Sequence, residues 1–355
     1  TLTYQNQLRT LTLGNLAANT TYYLRLGTLN WEYTPNYTVL PSTRTGFPDP
    51  PAGVTLANIW SSSASINFTP GIAAGGHVAE ASVYRFFSIV YRSSATPNPS
   101  ASNLVIEGLD PNTTYYFRAG ALYNGTTIYN ITVPDYRQTL TQPLTGLNIP
   151  AVFQSSVTVA WTPLPSSQQS DTADSYLLEA STWPAFSSPV LFSSVTYIIG
   201  LDRLTITGLE PNTSYYFRAG TLNYEGSVNY AATPATSTLT NAPVQTDYTG
   251  ITPLTLTLNW LPNSNPSDTL YLVRISSNSN LSAPVYSSAT KSAYATFGSL
   301  LPNTTYYPEM TPYNRLSRPS PAVTFSSMAT GAYDPEFMVY SGLGVSSVTV
   351  NWADG

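Results

Sequence analysis

The chain has 355 residues, of which 9% are charged, and its formal net charge is −5. A typical soluble domain has about 25% charged residues, so Ser, Thr, Asn and Tyr must cover much of this surface. One Lys and twelve Arg form no basic stripe, which argues against a nucleic-acid or anionic-membrane partner. The absence of Cys excludes disulfides, thiolate metal sites and Cys nucleophiles, and no apolar run approaches the roughly 18 residues that span a bilayer.

One turn motif recurs four times along the chain, at residues 18–23, 111–116, 211–216 and 302–307. Its Asn positions are 93, 100 and 91 residues apart, and an aromatic landmark repeats in step at Phe68, Trp161, Trp260 and Trp352. Two landmarks with one period indicate a single module copied along the chain. We therefore predict three complete copies between two partial ones, with boundaries at 1–46, 47–141, 142–241, 242–331 and 332–355. These segments are called units 1 to 5.

Short alternating runs predict strands in every copy. Val157, Val159 and Trp161 share one face of a strand, which period two places on the buried side. The equivalent triplets are Ala64/Ile66/Phe68, Leu256/Leu258/Trp260 and Val348/Val350/Trp352. About seven short strands in each full copy indicate an antiparallel sandwich of two sheets. The predicted fold class is therefore all-β.

These features resemble the fibronectin type III repeat. The resemblance is carried by the strand-B aromatic, by a Leu three residues before the motif Asn (Leu16, Leu109, Leu209, Leu300) and by the turn-Thr-x-Tyr pattern. It implies a tandem array of immunoglobulin-like antiparallel β-sandwiches. It also implies that the first Tyr of each pair (Tyr22, Tyr115, Tyr215, Tyr306) anchors the E–F corner through its hydroxyl. The Gly/Asn/Tyr-rich tails after strand F are similar to repeats in long bacterial surface proteins.

Unit 4 departs from its siblings within strand F. It has Pro308-Glu309 where the others have Phe117-Arg118 and Phe217-Arg218. Strand F is a central strand, and Pro removes a donor from its ladder. We therefore expect a bulge or local distortion at Pro308.

The two partial copies lack strands that a sandwich needs. Unit 1 begins just before the strand-E residues Leu11 and Leu13, and unit 5 stops after strand B. Half a sandwich exposes its core and an unpaired edge. Two explanations stay open: the sequence is a window from a longer chain, or neighbouring subunits complete each other by strand addition. Short linkers with Pro near each junction predict a semi-rigid rod.

The search for chemistry predicts no catalytic, cofactor or metal site, and the chain is expected not to be an enzyme. The only His, His77, lies in a Gly-rich stretch and is expected to be a solvated loop residue. No Gly-x-Ser-x-Gly elbow accompanies it. Asp171 and Asp174 lack the carboxylate density of a calcium loop.

The second Tyr of each motif is the better candidate for a contact residue. If Tyr115 and Phe117 face the core, Tyr116 and Arg118 face outward, and Tyr beside Arg is enriched at protein interfaces. The candidate assembly residues are Tyr23, Tyr116, Arg118, Tyr216, Arg218 and Tyr307. The alternatives are that an exposed Tyr merely suits a strand, or that it stacks on a sugar.

Nine Asn-x-Ser/Thr sequons are candidate glycosylation sites: Asn19, Asn36, Asn67, Asn112, Asn124, Asn130, Asn212, Asn280 and Asn303. Four of them lie in the turn motif, where Asn has a conformational reason to occur because it tolerates the left-handed region. Glycosylation would place the surface outside the cell.

We therefore expect a non-catalytic structural subunit of an extracellular filament, sheath or cell-surface appendage, with copies of itself as its main partner. A surface this poor in charge offers little repulsion against self-association. The alternative is a spacer or stalk in a large secreted carbohydrate-active enzyme or adhesin, whose partner is a glycan or a cell-surface protein.

Overall fold

A computed structural model describes residues 3–4, 7–73, 75–165, 173–187 and 192–353. The described residues form strands, turns and loops and contain no helix. Unit 1 holds four short strands: β1 (Thr21–Tyr22), β2 (Arg25–Leu29), β3 (Pro35–Val39) and β4 (Thr43–Arg44). Strand β1 pairs with β4, and β2 with β3.

Unit 2 forms one continuous seven-stranded sheet that folds back on itself. Its strands are β5 (Ala52–Ile59), β6 (Ser63–Thr69), β7 (His77–Ser82), β8 (Arg92–Thr96), β9 (Asn103–Glu107), β10 (Thr114–Tyr123) and β11 (Thr126–Gln138). The strand order is β8-β7-β10-β11-β5-β6-β9, and a parallel bridge between Val133 and Thr55 joins the two halves.

Unit 3 is a sandwich of two separate sheets. Its strands are β12 (Thr145–Val152), β13 (Ser156–Thr162), β14 (Ser175–Ser181), β15 (Phe192–Thr196), β16 (Arg203–Thr207), β17 (Ser214–Leu222), β18 (Val228–Ala232) and β19 (Thr236–Ser237). The sheet β12-β13-β16 faces the sheet β15-β14-β17-β18, and β19 also pairs with β17.

Unit 4 repeats this arrangement, and a hairpin follows it. Its strands are β20 (Val244–Gln245), β21 (Leu256–Leu261), β22 (Leu270–Ser276), β23 (Val285–Thr290), β24 (Tyr294–Phe297), β25 (Thr305–Tyr313), β26 (Val323–Thr324) and β27 (Met328–Ala329). The hairpin in unit 5 consists of β28 (Glu336–Leu343) and β29 (Val348–Ala353). By position, strand C is β7, β14 and β22, strand C′ is β8, β15 and β23, and strand F is β10, β17 and β25. Strand G, the next along the chain, is β11 in unit 2, β18 and β19 in unit 3, and β26 and β27 in unit 4.

A separate hydrophobic core fills each of units 2, 3 and 4, as period-two alternation predicts. The landmark aromatics Phe68, Trp161 and Trp260 are all buried. Trp161 packs against Tyr176 with ring centroids 5.3 Å apart, and Trp260 packs at the same separation against its strand-C neighbour. These three units are fibronectin type III-like sandwiches, and the chain is a tandem array of them.

The corner hydrogen bond occurs in all four turn motifs. The tyrosine hydroxyl accepts from the backbone N–H five residues earlier, at 2.7 to 3.1 Å, in Tyr22, Tyr115, Tyr215 and Tyr306. The predicted corner role is confirmed. The motif asparagines all adopt the left-handed region, with φ of 44° to 49°, which explains why Asn recurs at this turn.

The distortion that we expected in strand F at Pro308 does not occur. Strand β25 runs unbroken through it, in continuous register with β22. The Pro308 carbonyl accepts from Phe325 N–H at 3.2 Å, so the proline nitrogen also faces the strand-G side. There the pairing of β25 breaks between β26 and β27, and unit 3 breaks at its equivalent, Phe217. Proline is tolerated because it stands where the ladder is already interrupted.

One further expectation fails. His77 is fully buried at the start of β7, where it packs against Phe68 with centroids 5.1 Å apart. Strand pairing gives it the place that Tyr176 holds in unit 3, so it is a core residue and not a loop residue. In unit 5 the strand-face triplet Val348, Val350 and Trp352 is exposed, as expected of half a sandwich, because no second sheet covers the hairpin in the described part of the chain.

Candidate assembly surfaces

The outer face of the strand C–F sheet carries an arginine held between two aromatic rings. In unit 2, Arg118 lies 4.1 Å from the ring centroid of Phe87 and 3.7 Å from that of Tyr129. Its guanidinium also bonds Glu80 on the neighbouring strand, with Nε–Oε2 at 2.8 Å. The side chain faces away from the core as predicted, but rings cover it and a carboxylate neutralises it. Little of this cation is left for a partner.

Unit 3 repeats the same cluster. Arg218 lies 4.4 Å from the ring centroid of Phe186 and 3.9 Å from that of Tyr230, and its Nε donates to Glu179 at 2.6 Å. Burial, followed by the hydrogen bond with Glu179, raises the pKa of the Tyr230 hydroxyl. The tyrosine therefore stays neutral and can remain beside the carboxylate.

A glycine in strand F makes room for the covering tyrosine. A Cβ placed on Gly120 would lie 2.8 Å from the Tyr129 ring, and one on Gly220 would lie 3.1 Å from the Tyr230 ring. An aromatic ring laid over a strand glycine restores the packing that the missing side chain cannot supply. Unit 1 follows the pattern with Gly27 and Tyr37, and Arg25 stacks on that ring at 4.0 Å.

Unit 4 keeps the ion pair but exchanges its two charges. Glu309 occupies the arginine position on strand F, and Arg274 on strand C bonds to it. Thr311 stands at the glycine position, and the register of β26, in which Val323 lies opposite Met310, gives Ala322 the place of the covering tyrosine. This charge exchange accounts for Glu309 in the Pro308-Glu309 departure of the sequence.

The predicted contact tyrosines differ in accessibility. Tyr23 is 86% exposed and Tyr216 is 36% exposed, whereas Tyr116 and Tyr307 are half-buried. The Tyr116 ring packs against Tyr136 with centroids 5.8 Å apart. Their role as assembly contacts stays a prediction.

The junctions between units are held by side-chain contacts that the sequence analysis does not identify. At the junction of units 2 and 3, Asn223 at the start of the F–G turn donates to the carbonyls of Gln138 and Thr139, at 3.4 and 3.2 Å. Its own oxygen accepts from the N–H groups of Glu225 and Ser227 within the turn. One side chain thus shapes the turn and fastens it to the preceding unit.

The junction of units 3 and 4 uses the same latch. Asn314 donates to the carbonyls of Ser237 and Thr238, at 2.9 and 3.3 Å, while its oxygen caps two N–H groups of its own turn. Buried hydroxyls support both junctions: Thr141 with Thr221 at 2.6 Å, and Thr240 with Ser320 at 2.7 Å. Asn223 and Asn314 are 91 residues apart, as are Asn212 and Asn303, so the repeat spacing could have identified the latch.

The motif asparagine joins the same junctions. Asn212 is 1% exposed; it donates to the Thr269 hydroxyl at 2.8 Å and accepts from Arg315 N–H at 2.7 Å, both in unit 4. At the junction of units 1 and 2, Asn19 donates to Thr126 at 3.4 Å. These sequons serve as inter-unit contacts.

The nine sequons therefore fall into three accessibility classes. Asn36, Asn67, Asn124, Asn280 and Asn303 are exposed, Asn112 and Asn130 are half-buried, and Asn19 and Asn212 are buried. Modification of the two buried ones would require the junction to open. Glycosylation of the others remains a prediction.

No group of three or more His, Cys, Asp or Glu residues is placed to hold a metal ion within the described residues. Of the two aspartates weighed as calcium ligands, Asp171 lies outside the described residues. In the described ranges, no helix combines the length and apolarity needed to cross a bilayer.

No protein-family model matches the chain. Among solved structures, the chain is similar to the FN1–FN3 domains of chicken CNTN1, with 15% identity and a TM-score of 0.27, over 80% of this chain and 100% of that one. It is also similar to a segment of two fibronectin type III domains from chicken tenascin, with 16% identity and a TM-score of 0.33, over 54% of this chain and 100% of that one. The fold assignment of each unit rests on its own strand order, core and corner hydrogen bond.

Proposed function

We propose that this tandem array of fibronectin type III-like units is a non-catalytic structural subunit of an extracellular filament, sheath or cell-surface appendage, and that its main partner is another copy of itself. The observation that carries the proposal is the asparagine latch at Asn223 and Asn314. A side chain that repeatedly ties one unit to the next makes a linear element that transmits force and holds a spacing. Such a property serves a scaffold and contributes nothing to chemistry at a single site.

The surface supports the same proposal. Only 9% of residues are charged, and strand charges such as Arg118 and Glu80 neutralise each other within one unit. Two copies can approach with little repulsion and little desolvation of unpaired charge. Exposed tyrosines, of which Tyr23 and Tyr216 are the more accessible, supply rigid contact area at low entropic cost.

We further propose that the apolar faces of units 1 and 5 are covered in the assembly. Leu11, Leu13 and Trp352 are 41%, 44% and 60% exposed, although they match positions that units 2 to 4 shield. The cover is either a neighbouring copy, by strand addition, or further parts of a longer chain.

Electron microscopy of the native, unfractionated material tests the proposal. Continuous filaments with a regular axial repeat support it, and density at units 1 and 5 shows whether the cover comes from another chain. Isolated, variably bent strings of beads contradict a filament.

A second candidate is a spacer or stalk in a large secreted carbohydrate-active enzyme or adhesin. The latched junctions favour it equally, because a stalk also needs stiff joints. A catalytic or ligand-binding domain in the parent gene, together with monomeric behaviour of the chain, would support this candidate. Binding of the chain itself to a glycan array would assign it a glycan partner.

A further inference from the structure

The three strand C′ edges are the places where a sheet of each unit ends. Within the described residues, β8, β15 and β23 each have a strand neighbour on one side, namely strand C. The other side presents backbone N–H and C=O groups that a further strand can pair with. The three edges can be compared position by position.

Strand pairing fixes the equivalence. Val195 lies opposite Leu177, as Ala95 lies opposite Val78 and Ala289 opposite Leu272. Each of these strand-C partners faces the same position of strand F, namely Gly220, Gly120 and Thr311. Two residues further on, the fold gives Pro97, Tyr197 and Lys291 at one equivalent position.

Units 2 and 4 protect this edge and unit 3 does not. Proline and lysine beside an edge strand are the residues that proteins use to prevent edge-to-edge pairing, and they stand at positions 97 and 291. Unit 3 has Tyr197 there, followed by Ile198, where its siblings have the polar Asn98 and Ser292. In each unit the backbone N–H at this position donates to the hydroxyl of the threonine two residues earlier, at 3.0 to 3.3 Å. This shared hydrogen bond confirms the equivalence of Asn98, Ile198 and Ser292.

The unprotected edge is also apolar and exposed. Val195, Tyr197 and Ile198 are 51%, 73% and 67% exposed. At the position of Val195, units 2 and 4 have only the small side chains of Ala95 and Ala289. Residues 192–201 contain no charge and no proline. An uncharged β-branched and aromatic run at a free edge has the composition that favours intermolecular strand pairing.

We propose that β15 is a lateral self-association edge, at which two copies of this chain pair their strands antiparallel about a two-fold axis. The proposal rests on the proposed self-assembly and assigns its contact to one strand of one unit. Two-fold pairing sets a residue at the axis opposite its own copy, so a charge near the middle of the run would meet a like charge. The nearest charges along the chain, Asp202 and Arg203, lie outside the run and pair with each other at 2.7 Å. On the neighbouring strand, Glu179 lies opposite Ser193 and is neutralised by Arg218. The N–H and C=O groups on the outer side of β15 can form a ladder of main-chain hydrogen bonds with a second strand, which a sugar cannot supply.

Sedimentation velocity of the 355-residue chain over a concentration series tests the edge. The variants are Val195→Lys and the matched control Ala289→Lys, which adds the same charge at the equivalent exposed position of unit 4. The dissociation constant for self-association should rise about ten-fold or more in Val195→Lys and stay within about two-fold in the control, since one lysine on an edge opposes pairing there alone. Circular dichroism melts establish that both variants are folded.

The absence of Cys allows an independent test. Val195→Cys should give a disulfide-linked or thiol-crosslinked dimer under mild oxidation, and Ala289→Cys should give no covalent dimer. Equal crosslinking of the two variants overturns the assignment.

The outcomes separate the two proposals. A wild-type chain that stays monomeric overturns both this edge and the assembly function. Self-association that both lysine variants retain, or that both lose equally, overturns the edge alone and leaves assembly through other surfaces standing.

Discussion

Units 3 and 4 have one fold and opposite charges on the same face. In unit 3, strand F carries Arg218 and strand C carries Glu179. In unit 4 the acid is Glu309 on strand F and the base is Arg274 on strand C. Both units have one acid and one base on neighbouring strands. An acid on one strand is always matched by a base on the other, although the two units place them on opposite strands.

The exchange changes more than the sign of the charge. The unit 3 arginine lies between Phe186 and Tyr230 and needs Gly220 beneath the tyrosine ring. Unit 4 has Thr311 at the glycine position, and no tyrosine covers its pair. Glycine, tyrosine and arginine therefore occur as one set, and unit 4 lacks all three of them.

The largest expected effect comes from breaking the pair in unit 3. Glu179→Arg places two guanidinium groups against each other on adjacent strands and should cost about 3 kcal/mol of the free energy of unfolding of this unit. The double variant Glu179→Arg with Arg218→Glu recreates the unit 4 arrangement and should recover most of that loss. Hydrogen exchange of β14 and β17 amides in the full chain measures both changes.

If the double variant is no more stable than the single one, complementarity is not the rule that relates the two units. Unit 4 peptides serve as an internal control, since their exchange should not change. A slower global exchange in the double variant than in the wild type would also contradict the view that the aromatic stack stabilises the unit 3 form.

The second prediction concerns the glycine. Gly220→Thr adds the side chain that unit 4 has, and its Cβ would lie 2.4 Å from Val228 and 3.1 Å from the Tyr230 ring. Val228 and the ring must both shift, which disturbs the stack on Arg218, so we expect a loss of about 2 kcal/mol from steric strain and weakened stacking. The reverse change, Thr311→Gly, displaces no ring and should cost about 1 kcal/mol or less. Equal losses in the two units would contradict this account.

The sequence predicts the fold because the signals for it are local and periodic. Alternation along β13, and the motif around Tyr215, each lie within a few residues, and the repeat confirms them in every copy. The effect of Pro308 is not local, and for that reason the expectation about it is wrong. The effect depends on whether strand G pairs with this residue, and the sequence of strand F carries no information about that pairing.

The candidate site likewise combines features that follow from the local sequence with features that depend on other segments. The outward direction of Arg118 follows from strand period, but its cover by Phe87 comes from the C–C′ turn and cannot be read from strand F. His77 was misplaced because nearby glycines resemble a loop, while pairing puts it in a core position. The latch residues Asn223 and Asn314 did carry a signal, a shared repeat offset, although their acceptors belong to the preceding unit.

The third prediction concerns alkaline pH. Burial raises the pKa of Tyr248 in unit 4 to about 12, above the ordinary value of about 10. The fold therefore favours the neutral phenol, so stability is constant below pH 10 and falls as pH rises from about 10 to 12. At pH 11 the loss should be about 1 kcal/mol.

Tyr248→Phe should make this step, the loss of stability between about pH 10 and 12, smaller in unit 4. Hydrogen-exchange protection of the β21 amides, measured as a function of pH, would show the change. The matched control is Tyr294→Phe, which changes a 54% exposed ring. A step of unchanged size in Tyr248→Phe would assign the alkaline loss to another group. Unit 3 should show its own alkaline loss, because burial raises the pKa of its corner residue Tyr215.

The smallest effect on unit stability is expected where units 3 and 4 agree. Asn223→Ala and Asn314→Ala each remove the donor that fastens an F–G turn to the preceding unit, together with the oxygen that shapes the turn. Because the bonds lie at the junction, each core should lose less than about 1 kcal/mol, while the joint becomes freer. Small-angle scattering should show a wider distribution of maximum dimensions in both variants, and to a similar degree.

The control Asn278→Ala alters an exposed asparagine away from the junctions and should leave the scattering profile unchanged. A change in one variant but not the other would mean that the two junctions, unlike the two charge pairs, are not versions of one design.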